Sequence, residues 1–239
     1  MSHVRSFMRH YRQIMVVGAL TLSSLVSVGL FALRVIYTQH SLHKFLNWNL
    51  FLAWLPMICA LTAYNLHKHS LRARWIGVAV FSILWLLFMP NAPYLVTDIV
   101  NLYPQPDMPF WFDIILFAAY IWTGMFLGLV SLFLMQEIVR HISGRVVSWV
   151  FALGVLGLSS FGIYLGRFMR WNSWDVFLNP GHVLADILAP LRHPTAHLET
   201  YLFSLIFAFF IISAYLMLIA LTHFRHESLD RGADVSDAG

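Results

Sequence analysis

Charge is what this sequence has least of. Only 11% of its 239 residues are Asp, Glu, Lys or Arg, against about 25% in an ordinary soluble domain. Hydrophobic residues make up 59%. A chain so apolar cannot cover its own surface in water, so lipid is the expected solvent. Cysteine is nearly absent too. The lone Cys59 excludes an intrachain disulfide, a CxxC pair and a four-cysteine metal site. It lies inside an apolar run, the place of a small buried residue. The formal charge is +4, but the Lys and Arg residues are scattered between apolar runs. Nucleic-acid binding needs them gathered on one face, so no nucleic acid is expected as a partner.

What is there instead is length without charge. Six stretches lack any Asp, Glu, Lys or Arg: residues 13–33, 45–67, 75–97, 114–136, 146–166 and 200–222. Each reaches the roughly 20 residues that a membrane helix needs. Barrel strands are about 10 residues long and alternate in polarity, so helices are expected. The fold class is therefore an all-α polytopic membrane bundle, one transmembrane domain over residues 1–222. The first run follows Arg5, Arg9 and Arg12 like a signal peptide. Its apolar core exceeds the roughly 7–15 residues of such a signal, and no small-x-small site closes it. It reads as a retained span. Residues 223–239 are polar and are expected to form an unfolded cytoplasmic tail.

Basic residues set the orientation. With the N-terminus inside, the cytoplasmic segments hold ten Lys and Arg and the outer segments five. The positive-inside rule then puts both termini in the cytoplasm. The plain, basic loops face inward. The outer segments hold the chemistry. One, Pro90 to Asp113, has no Lys or Arg but carries Asp98, Asp107 and Asp113.

Pro90 and Pro93 each remove a backbone donor, so the third span should end or break there. Asn91, Tyr94 and Asp98 follow the break. One reading makes Tyr94 to Leu102 an interfacial helix with Asp98 in water. The other makes the span a discontinuous helix whose freed backbone and Asp98 line a polar cavity. Both stay open on sequence. Gly124 and Gly128 are four apart, as are Gly162 and Gly166, and are expected to serve close packing within the chain.

The second outer segment runs from Arg167 to Glu199. Arg167 and Arg170 share a helix face, and Trp171 and Trp174 are residues of the headgroup level. Asn172 is placed to cap a following helix, with Asp175 near its positive end. This is either an interfacial anchor or a seat for a phosphate-bearing lipid or small-molecule ligand, because the Arg fork matches phosphate oxygens. A third option pairs Arg167 or Arg170 with Asp98 or Asp113. His182 with Asp186, and His193 with His197, are each four apart and are the weak metal candidates. Pro194 interrupts the second pair. No nucleophile stands in a local motif, so no catalytic residue is assigned and no cofactor is indicated.

Three stretches resemble the DUF1361 family of bacterial membrane proteins. They are Asn49 to Pro56, Pro90 to Tyr94 with Thr97 and Asp98, and Gly162 to Phe168 with Arg170 to Asp175. The resemblance spans most of the chain from about Phe45 onward. It implies a location in the bacterial cytoplasmic membrane. The family is named for its unknown function, so the resemblance implies no activity. Three classes of function remain. They are a non-catalytic component with a membrane-protein partner, a transporter or lipid flippase, and an intramembrane enzyme using Asp98 and Asp113.

Overall fold

A computed structural model describes residues 2–68, 74–171, 173–192 and 198–236. Among these residues the regular structure is helical, with no strand. The all-α expectation holds. The helices are α1 (Ser2–Thr38), α2 (Lys44–Lys68), α3 (Arg74–Phe88) and α4 (Asn91–Tyr94). A 3-10 helix (Leu95–Asn101) follows. Then come α5 (Phe110–Phe168), α6 (Asp175–Leu178), α7 (Pro180–Arg192) and α8 (Leu198–Ser236). Among the described residues five segments are long and apolar enough to cross a membrane. Their outward side chains, such as Val26, Ile36, Ile83, Trp122 and Phe209, are mostly exposed. Lipid tolerates such a surface and water does not.

α5 has 59 residues. A straight helix of that length would run about 88 Å, close to three hydrocarbon cores. It is not straight. Gly144 adopts φ 86° and ψ 178°, outside the helical region, a backbone that only glycine takes without strain. Gly144 lies in the charged interval between two of the apolar runs. It also marks the boundary between two compact units, Met1–Ser143 and Gly144–Gly239.

In the first unit, α1 lies antiparallel to both α2 and the first half of α5. Ser24 Oγ accepts from Trp54 Nε1 at 3.0 Å, and Gln13 Nε2 donates to Asn65 at 3.4 Å. Ser23 Oγ lies 2.6 Å from Thr123 Oγ1, and Arg34 reaches Asp113. The apolar core between these helices includes Leu46, Ala53, Met57, Leu116 and Phe117.

The third span breaks where the prolines predict. The helical ladder of α3 ends with Met89 N donating to the Trp85 carbonyl, at 2.8 Å. Pro90 has no N–H to continue the ladder. One turn of α4 and the 3-10 helix then carry the chain on to Asn101. α3 alone, at 15 residues, rises about 22 Å. The tighter 3-10 segment climbs about 2.0 Å per residue and completes a crossing length.

The broken segment seats directly on α5. A Cβ built on Gly124 would lie 2.8 Å from the Ala92 carbonyl oxygen and against Leu95. One on Gly128 would lie 3.1 Å from Ala92 Cβ and 3.3 Å from Pro93 Cδ. This glycine pair thus serves packing within the chain.

In the second unit, the latter half of α5 and α8 run antiparallel. Trp149 meets Tyr215 at one end, while Tyr164 and Phe168 meet Phe203 at the other. The apolar part of α8 ends at Thr222. Helical backbone continues through Ser236, over residues whose polarity predicts an unfolded tail.

Candidate functional site

Four buried ionisable side chains of the first unit, Arg34, His43, Asp98 and Asp113, lie toward one end of its helices. Arg34 sits in the last turns of α1, inside otherwise apolar sequence. Its Nε donates to Asp113 Oδ1 at 2.7 Å, and its Nη2 donates to Asp113 Oδ2 at 3.2 Å. Arg34 is 2% exposed and Asp113 is fully buried. A two-point contact of this kind matches the planar fork of guanidinium to carboxylate. Asp113 lies in the first turn of α5, where the helix dipole also favours negative charge.

His43 closes the third side. It lies between α1 and α2, and its backbone carbonyl accepts from Leu46 N at 3.0 Å as α2 begins. Its Nε2 points toward Asp113 Oδ2 at 4.0 Å, too long for a hydrogen bond. No other hydrogen-bond partner reaches that nitrogen. Phe45 and Phe117 pack edge-on against the ring. Burial pushes its pKa below the usual histidine value, and the Arg34 guanidinium pushes it further. Asp113 pulls the other way with less effect.

Asp98 belongs to the same end. It sits on the 3-10 helix and is 1% exposed. Of the two readings left open by sequence, the one with Asp98 in water is therefore excluded. Asn49 Nδ2 donates to Asp98 Oδ2 at 2.7 Å. That bond joins the stretch beginning at Asn49 to the stretch Pro90–Asp98, although 49 residues separate the partners. Two residues before Asn49 on α2, Asn47 Oδ1 accepts from the Tyr120 hydroxyl at 2.5 Å. Removing one partner of a buried hydrogen bond costs about 1–3 kcal/mol. Asn49→Ala is therefore expected to lower stability by about that amount, read as a lower melting temperature of the purified chain in one fixed detergent. An unchanged melt would show that Asn49 does not hold Asp98.

Asn91 and Tyr94 begin and end α4, just before the 3-10 helix, and the second unit holds the remaining sequence candidates. Arg170 ends α5 in the left-handed region, at φ 62°. The Trp171 N–H then reaches back to the Leu165 carbonyl at 3.2 Å. The Trp171 indole donates to Asp186 Oδ2 at 2.7 Å. That bond ties α7 to the chain that leaves α5. Trp174 and Asp175 stand at the start of α6, and Arg167 lies in the last turn of α5. His182 is exposed one turn before Asp186. Asn172, His193 and His197 lie outside the described residues. Among the described residues no group of three His, Cys, Asp or Glu is placed to hold a metal ion.

The sequence singles out Asp98 and Asp113 but does not say what they pair with. Asp113 pairs with Arg34. On sequence Arg34 is one of the five outer Lys and Arg residues. Its signal was position, a guanidinium within an apolar helix, where such groups usually find a partner. His43, Asn47 and Tyr120 gave no signal of their own.

A family model described as a protein of unknown function (DUF1361) matches residues 48–214. No curated protein and no solved structure matches the chain.

Proposed function

The chain belongs to the DUF1361 family, and from that premise we propose that it is a non-catalytic component of a membrane or envelope complex. It would sit in the bacterial cytoplasmic membrane with six crossings and both termini inside. The cytoplasmic excess of Lys and Arg supports this orientation. The break at Gly144 supports the sixth crossing, because it divides α5 into two lengths that can each span.

One observation carries the component reading. The Arg34 fork is spent on Asp113, and a carboxylate oxygen of Asp98 is spent on Asn49. Side chains that an enzyme or carrier would turn toward a substrate are bonded to one another. They fasten α1, α2, the 3-10 helix and α5 into a clasp at the outer end.

Native mass spectrometry of the chain released from its own membrane tests this. A protein partner at fixed stoichiometry is expected. A lone chain carrying only a phosphate-bearing lipid would overturn the reading. It would favour a transporter or lipid flippase, with Arg167 and Arg170 holding the headgroup. A specific feature speaks for that second reading: Asp98 is buried on an interrupted span, the backbone arrangement of many carrier sites. Asp98→Asn would then abolish flux in liposomes.

A further inference from the structure

His43 is the one member of the outer cluster whose approach to its neighbours is incomplete. Its side chain is 3% exposed, yet Nε2 makes no hydrogen bond. The nitrogen faces Asp113 Oδ2, the oxygen that Arg34 holds by its longer contact, at 3.2 Å. The shorter contact, 2.7 Å from Arg34 Nε, goes to Oδ1. The two limbs of the ion pair are therefore unequal, and the weaker one is the one within reach of the imidazole.

We propose that His43 is an acid-responsive switch that exchanges the partner of Asp113 Oδ2. A proton from the outer medium adds to the Nε2 lone pair, and no other reactant is needed. The new N–H donates to Oδ2. The Arg34 Nη2 limb is released, while Nε stays on Oδ1. The switch rests on the proposed clasp at the outer end, though not on the identity of any partner.

The charges around the ring decide how the clasp responds to that proton. From α1 comes Arg34 and from α5 comes Asp113, which neutralise each other. α2 and α5 otherwise present the apolar rings of Phe45 and Phe117. Lys44, next in sequence, is exposed. Neutral His43 leaves the group of Arg34, Asp113 and His43 uncharged overall. Protonated His43 leaves one buried positive charge in excess, which apolar surroundings disfavour. The start of α2 disfavours a cation there as well. The relief available is separation of the outer ends of α1 and α5, so that water reaches the released limb. Acid thus loosens the clasp.

Hydrogen–deuterium exchange of the full chain in lipid nanodiscs tests this, at about pH 7.5 and about pH 5, either side of the ordinary histidine range. After correction for intrinsic rates, peptides covering Leu33–Lys44 and Phe110–Leu116 should exchange roughly tenfold faster in acid. Peptides from the latter half of α5 should not change. His43→Gln should remove the difference. Equal exchange at both pH values in the wild-type chain would overturn the proposal, and this comparison needs no variant to fold. The same pH response in a folded His43→Gln chain would overturn it too. Neither result bears on whether a protein partner co-purifies, so the two readings fail separately.

Discussion

Asp113→Leu is expected to destabilise the first unit by about 3–5 kcal/mol, the usual cost of breaking a buried ion pair from one side. Leucine fills much of the space but leaves the Arg34 guanidinium without its counter-charge. Arg34 is 2% exposed, so water cannot take over the lost contacts without opening the end of α1. Loss of the apolar contact area is not the cause, because leucine is itself apolar. Arg34→Met removes the cation and strands the carboxylate instead, and a loss of similar size is expected. The damage should be local. Hydrogen exchange should rise first around Leu33–Thr38 and Phe110–Leu116, well before the second unit is affected. Thermal melts of both variants in one detergent, with exchange by mass spectrometry, read the size and the place of the effect.

Gly124→Val is the second large effect, expected at about 3 kcal/mol, the upper part of the range for overpacking. The obstacle is backbone. A Cβ at this position would lie 2.8 Å from the Ala92 carbonyl oxygen. That carbonyl belongs to the turn that follows Pro90, so it cannot swing aside as a side chain can. Valine adds two further methyl groups toward Leu95. The broken span must then lift from α5, and Asp98 moves with it, away from Asn49. Gly128→Ala is a milder test. Its nearest neighbour would be Ala92 Cβ at 3.1 Å, and a loss of about 1 kcal/mol is expected. If Gly124→Val melted like the wild type, the third span could not be seated on α5 as described.

The break at Pro90 was legible because its cause is local: a missing N–H acts on its own helix whatever lies beside it. The apolar runs were legible for the same reason, since charge exclusion from lipid acts residue by residue. Asp98 and Asp113 stood out in a segment empty of Lys and Arg. Their partners did not stand out. Arg34 is 79 residues from Asp113, and no periodicity within one helix says which other helix lies alongside. The glycine pair was legible as a close contact, but not as the seat of Ala92 and Leu95. His43 was invisible for a different reason. Nothing in a loop histidine between two spans distinguishes an exposed ring from one wedged between two phenylalanines.

The claim on which the rest depends is that Arg34 and Asp113 act as one unit. A double-mutant cycle on the full chain in nanodiscs tests it most directly, using Arg34→Met, Asp113→Leu and the two together. Each single change leaves a charge without its partner, whereas the double change leaves none. The double variant should recover most of the stability lost by either single variant, with a coupling of about 2 kcal/mol or more. Additivity of the two single effects within about 0.5 kcal/mol would contradict the clasp.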